Sequence, residues 1–286
     1  MHFKLVALDF ILTNMYAAVD IGGTKTLIAV FDANGAILQR IKFPTPPNYD
    51  DFKRDLAANV AQLTTKDFIA GAIGIRGNID RAAGLSLQDD VLAWQSVPIR
   101  DDCQAVFGCS FVLENDSKLA GLSEAIRVKE TYRKVLYVTV STGIGSAFIV
   151  DGVLDPDTQD SEIGKSVYEH EGQVRQLEDF ASGKAIVEKY GKRASDLDDP
   201  TAWQEISQNL AIGLINATAA YTPDVIILGG GVGSHFHKFE QPLKQAMLSI
   251  KPAEITMPAV QQAQYPEEAV IYGCFELART AAAPKE

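Results

Sequence analysis

Apolar residues follow two rhythms along this chain. Short continuous or alternating runs predict strands at Tyr16–Asp20, Thr26–Phe31, Ala36–Phe43, Phe68–Ile75, Ser110–Leu113, Lys134–Val140, Ala147–Val150 and Val225–Leu228. Asp32-Ala33-Asn34-Gly35 reads as a hairpin turn, so the chain opens on three antiparallel strands. Pro44, Pro46 and Pro47 end that hairpin, and Arg76–Asp80 leaves the next strand as a loop. Helical spacing appears in Tyr49–Leu63, with Phe52, Leu56, Val60 and Leu63 on one side. A helix opens at Asp116, and from Gln176 the pattern is mostly helical, closing with a helix over Glu267–Ala281.

Strand-rich stretches leading into helices occur twice, near Met15 and near Lys134. The fold class expected is therefore α/β, in two halves with a central cleft. The expected division is an N-terminal domain over 1–115, with 267–286 packing back on it, and a C-terminal domain over 116–266. No short period repeats, which excludes a solenoid.

Composition narrows the partners. The 286 residues carry a formal net charge of −11, which argues against nucleic acid, because phosphate backbones need a surplus of Lys and Arg. An acidic protein can still hold ATP through backbone N–H groups and Mg²⁺. Cys103, Cys109 and Cys274 form no CxxC pair and read as apolar thiols of a reduced cytoplasm. Met1–Asn14 is apolar but interrupted by Asp9, too short for a membrane span, and reads as an extension ahead of a functional start at Met15.

Four stretches carry candidate chemistry. Asp20-Ile21-Gly22-Gly23-Thr24-Lys25 sets a carboxylate at a strand end before two glycines, so that backbone N–H groups can approach a phosphate. Asp20 would hold Mg²⁺ through water; a hairpin turn with an acidic flank explains the same residues equally well. Ser141-Thr142-Gly143-Ile144-Gly145 repeats this logic about 120 residues later. Gly229-Gly230-Gly231-Val232-Gly233 follows an apolar strand and admits a flat ligand close to the backbone. Neither a Rossmann fingerprint nor a P-loop is present. Glu114-Asn115-Asp116-Ser117 opens a helix, where Asp and Ser are ordinary caps, or where a carboxylate can serve as a general base.

Together these stretches resemble the ROK family of sugar kinases and repressors, within the actin, heat-shock ATPase and sugar-kinase superfamily. The resemblance spans roughly Met15 to Glu276 and also rests on Glu162-Ile163-Gly164, Leu177-Glu178, Ala181-Ser182-Gly183 and Ile227–Gly231. It implies the two-domain actin-like ATPase (ribonuclease H-like) fold and transfer of the ATP γ-phosphoryl group to a hydroxyl of a free hexose. Asp116 would be the catalytic base. Asn115, Glu162, Glu178, Asn78, Asp90 and Lys165 would lie at the sugar. Gly22, Gly23, Thr24, Lys25, Thr142, Gly143, Gly145, Gly229, Gly230 and Gly231 would line the nucleotide. The cofactors expected are ATP and Mg²⁺.

Departures fall in the sugar half. Lys165 stands where the family usually has His, Asp90 where members often carry Asn, and the cysteine-rich zinc motif is missing. No zinc is expected, and His170 reads as a solvated loop histidine. Lys165 is expected in solvent or paired with a glutamate. The acceptor expected first is glucose, with fructose, an N-acyl hexosamine or a catalytically weakened sugar binder as alternatives. A repressor is disfavoured, since only 14 residues precede Met15, where the strand leading into the first candidate clamp opens. A polyphosphate donor is disfavoured for want of a basic groove. A cytoplasmic homodimer, without nucleic-acid or membrane partners, completes the expectation.

Overall fold

The computed structural model describes residues 14–88, 91–264 and 268–283. It divides into two compact units, Met1–Ser123 with Glu268–Glu286, and Glu124–Glu267. Met1 to Thr13 and Asp90, for which the sequence raised expectations, lie outside the described residues.

In the first unit, β1 (Met15–Ile21), β2 (Lys25–Phe31) and β3 (Ile37–Pro44) form the antiparallel opening. Asp32 holds its turn by accepting from the N–H groups of Asn34 at 2.9 Å and Ala36 at 2.8 Å. After α1 (Tyr49–Val60), β4 (Phe68–Ile75) pairs parallel to β1. The chain continues through β5 (Asn78–Asp80), β6 (Leu85–Gln88), β7 (Gln95–Val97) and α2 (Ile99–Phe107) to β8 (Ser110–Asn115), parallel to β4. The main sheet has the order β3-β2-β1-β4-β8.

Because side chains alternate along a strand, β1 buries Ala17, Val19 and Ile21 on one face and Tyr16 and Ala18 on the other. The first set packs with Phe52, Leu56 and Val60 of α1. The second packs with Leu119 and with Ile271, Cys274, Phe275 and Ala278 of the C-terminal helix Ala269–Ala282. A sheet covered on both faces explains why its central strands read as nearly continuous apolar runs. Arg76–Asp80 is not wholly a loop. Asn78–Asp80 is β5, paired with β6 in a small separate sheet whose strands, three or four residues long, are too short to show a period.

α3 (Asp116–Val128) carries the chain into the second unit. There β9 (Lys134–Val140), β10 (Ile144–Val150) and β11 (Val153–Leu154) form an antiparallel set. The hairpin β12 (Val167–His170) and β13 (Gln173–Gln176) follows, then α4 (Leu177–Ala181), α5 (Gly183–Tyr190) and α6 (Pro200–Tyr221). β14 (Val225–Gly229) lies parallel to β9, and after the short α7 (Gly230–Gly233) and α8 (Phe236–Ile250), β15 (Ala259–Gln262) lies parallel to β14. The order β11-β10-β9-β14-β15 repeats that of the first unit. Each sheet thus has the ribonuclease H-like arrangement of an antiparallel meander extended by parallel strands.

The segment around His170 is a hairpin rather than a solvated loop. Glu171 and Gly172 take φ of 51° and 75°, the turn that matches strand twist. His170 is half-buried, its ring stacked 4.0 Å from that of Phe180 and its Nε2 3.1 Å from Asn209 Oδ1. β12 and β13 are four residues each and mostly polar, so no apolar period marked this packing in the sequence. Cys103 and Cys274 are buried, whereas Cys109 is half-exposed. Among the described residues no helix is long and apolar enough to cross a membrane.

Candidate active site

In the first unit, strand register gathers the candidate groups. Ile21 pairs with Ile75, and Ile75 with Asn115, so the turn after β1, the loop after β4 and the start of α3 leave the sheet at one level. That level is the carboxyl edge of the parallel strands, where α/β sheets bind ligands.

The Gly22–Lys25 turn is closed by Gly22 N–H donating to the Lys25 carbonyl at 3.0 Å. Thr45 braces it, donating from Oγ1 to the Gly22 carbonyl at 2.8 Å and from N–H to the Thr24 carbonyl at 3.1 Å. Thr24 and Lys25 are exposed, and a Cβ on Gly23 would meet Val91 at 2.6 Å, so glycine is needed there for packing as well as access. Asp20 stands one pair inside the edge. Burial, reinforced by the Asp116 charge and opposed by Lys42, pushes its carboxyl up to about 7.

Asn115 caps α3, its Oδ1 accepting from Ser117 N–H at 2.9 Å and Oγ–H at 2.6 Å. Its Nδ2 donates to the Gly77 carbonyl at 3.2 Å, tying the loop after β4 to the start of α3. The capping oxygen thus comes from Asn115, one residue before the helix begins, and reaches forward to Ser117. Asp116 Oδ1 accepts from Ser117 N–H at 2.8 Å. Glu114, 1% exposed, receives a two-pronged bond from Arg81 at 2.8 and 2.6 Å and so holds the strand end before Asp116. Sequence reasoning missed Arg81; a glutamate inside an apolar strand, which demands a cation, was the available signal. Asn78 is exposed on β5, paired with Gln88.

In the second unit, Glu178 and Glu162 flank the start of β10. Glu178 Oε2 accepts from Ile144 N–H at 3.3 Å and Glu162 Oε2 from Ser146 N–H at 2.8 Å. Gly164 enables this, since a Cβ there would collide with the Ile144 carbonyl. A Cβ on Gly143 would lie 2.8 Å from Glu178 Oε2, so its bare backbone makes room for this carboxylate as well as for any phosphate. Thr142 is exposed, and Gly145 faces Thr139 across the hairpin. Lys165, largely exposed, pairs through Nζ with Glu178 Oε1.

The glycine run after β14 divides in two. Cβ atoms on Gly229 and Gly230 would strike Tyr137 and Val140, and Gly230 has φ of 77°. Beside Gly231 the space is open. Packing and backbone conformation therefore require glycine at Gly229 and Gly230, whereas Gly231 is not held to glycine by its neighbours.

Two neighbouring carboxylates, one with its proton affinity raised by burial and by the other's charge, form a donor set suited to a hydrated divalent cation, since Mg²⁺ takes one or two carboxylates and keeps water. Asp20 and Asp116 fit that description. Beside them the exposed glycine turn presents backbone of the kind that anions use.

The ROK family sequence model matches residues 16–281. Over 247 residues the chain is 27% identical to a fructokinase of Streptococcus mutans, covering 79% of this chain and 83% of that protein. It is 24% identical to a glucokinase of Streptomyces coelicolor over 277 residues, 80% and 85% of the respective chains. The solved ROK family glucokinase from Streptomyces griseus, in complex with glucose and AMPPNP, superposes with a TM-score of 0.74 at 23% identity, covering 93% of this chain and 99% of that one. At that identity the likeness establishes the fold.

Proposed function

The chain belongs to the ROK family, and from that premise we propose that it is an ATP-dependent kinase that phosphorylates a hydroxyl of a free hexose. The observation that carries this reading is the Asp20–Asp116 carboxylate pair beside the Gly22–Lys25 turn, at the carboxyl edge of the first sheet. The kinase names of the sequence relatives support it.

Asp116 accepts the proton of the sugar hydroxyl as that oxygen attacks the γ-phosphorus. Mg²⁺ held by Asp20 through water, when bound, supplies charge neutralisation at the phosphates. The backbone N–H groups of the glycine turn, with Thr24, bind phosphate oxygens. Glu162 and Glu178 hold sugar hydroxyls, a recognition that strongly disfavours acceptors lacking them. Asn115 has an amide hydrogen left for the same task after its cap and loop bonds.

Glucose is the first acceptor we propose. The fructokinase relative favours fructose as the second, and an N-acyl hexosamine is the third. A coupled ADP-release assay over these sugars tests the reading, with Asp116→Asn as its control. One sugar should give saturable, Mg²⁺-dependent turnover, and the variant should lose about 10²–10⁴-fold in kcat while keeping its melting temperature. No sugar-dependent ADP release would reject the activity. An Asp116→Asn enzyme retaining more than about a tenth of kcat would reject the base.

A further inference from the structure

Arg76 occupies a place that the proposed reaction leaves unassigned. It directly follows Ile75, whose cross-strand partners are Ile21 on one side and Asn115 on the other. The residues after those partners are Gly22 of the glycine turn and Asp116. Neighbouring strands are about 4.8 Å apart, so the backbone of Arg76 stands between the turn and the carboxylate, one strand spacing from each. Its side chain is half-buried and leans towards the turn, with Nη1 3.5 Å from the point that a Cβ on Gly23 would occupy. The loop is fixed at its next residue, where Gly77 accepts from Asn115 Nδ2 at 3.2 Å.

This position has an electrostatic consequence. A transferring phosphoryl group spreads negative charge over three equatorial oxygens, and here it would arrive beside Asp20 and Asp116, two carboxylates already in mutual repulsion. Lys42 opposes that repulsion at Asp20, and Lys25 of the turn is exposed. A planar guanidinium, with several donors and a charge that does not titrate, suits the equatorial oxygens better than either ammonium.

We propose that Arg76 is a further catalytic residue, contacting the γ-phosphoryl group of ATP as it passes to the sugar oxygen. The inference rests on the sugar-kinase reading above. In the step, the bond between the γ-phosphorus and the β,γ-bridging oxygen breaks and its electron pair leaves with ADP. A bond from the sugar oxygen to the phosphorus forms, and the hydroxyl proton goes to Asp116. Arg76 exchanges no proton and stabilises charge on the non-bridging oxygens throughout.

The test titrates wild type, Arg76→Gln and Arg76→Lys with AMPPNP and with ADP in the presence of Mg²⁺, and measures kcat and KM on the accepted sugar. Arg76→Gln should lose about tenfold in affinity for AMPPNP with ADP binding unchanged. Its kcat should fall about 100-fold while the KM for sugar holds. Arg76→Lys keeps charge without the fork, so it should retain the AMPPNP preference and lose about tenfold in kcat. Equal losses for both nucleotides would reduce Arg76 to a support of the turn and overturn the proposal, as would wild-type kcat in either variant. Should Arg76→Gln fail to fold, Arg76→Lys decides by the same criteria. A wild type that phosphorylates no sugar sinks the sugar-kinase reading, while the nucleotide titrations still judge Arg76.

Discussion

Asp20 is the residue whose environment most strongly alters its chemistry. Its carboxyl, pushed up to about 7 by burial and the Asp116 charge, lies well above the unfolded range near 4. Between those values the folded protein holds a proton that the unfolded chain has lost, so stability falls as pH rises through this window. Asp20→Asn removes the effect. From pH 5 to pH 8 its stability relative to wild type should rise by on the order of 2 kcal/mol, measured by thermal or denaturant unfolding at each pH, even as activity collapses. A pH-independent difference would show that Asp20 ionises normally. Lys165 poses a question of specificity. Its ammonium holds one oxygen of Glu178 while Ile144 N–H holds the other, so this carboxylate is already engaged before any hydroxyl arrives. Lys165→Met should release it and change the ratio of kcat/KM between glucose and fructose by about tenfold, roughly 1.4 kcal/mol. Equal changes for both sugars would place Lys165 outside selection.

At the scale of elements, the two glutamates depend on how closely the turn at Gly164 approaches β10. Gly164→Ala would drive a methyl into the Ile144 carbonyl, and the backbone must move to relieve it. Such overpacking costs about 1–3 kcal/mol. The variant should melt earlier and, because Glu162 is two residues away and bonded to Ser146, bind sugar more weakly. An unchanged melting curve would mean that the turn shifts freely. How legible these elements were follows from how each is buried. β4 and β9 are covered on both faces, so their continuous apolar runs gave both boundaries as the structure has them. β5, β12 and β13 are short, polar and half-exposed, so periodicity was silent on them. The candidate residues Asp20 and Asp116 were visible because a carboxylate beside a glycine turn or at a helix start is a local signal. Arg81 and the role of Gly143 as space for Glu178 were not, because each depends on a neighbour distant in sequence.

At the scale of the molecule, two units each own a sheet and a core, yet only Glu124–Glu267 is a continuous stretch of chain. The first unit completes one face of its sheet with the C-terminal helix. Phe275 stacks 4.9 Å from Phe31 and lies edge-on 5.6 Å from Tyr16. Phe275→Ala should therefore destabilise the protein by about 3–5 kcal/mol, read by denaturant unfolding. A loss below about 1 kcal/mol would show that the helix is a detachable cover. The arrangement also sets an order of events on the ribosome. At about 5–20 residues per second, the stretch from Phe31 to Ala269 takes roughly 12–50 s to make. Over that interval Ala18, Ala29 and Phe31 await partners on the helix Ala269–Ala282. The continuous unit can fold while still tethered, and strands β1 and β2, with one apolar face bare, are the natural substrate for a chaperone until the helix Ala269–Ala282 emerges.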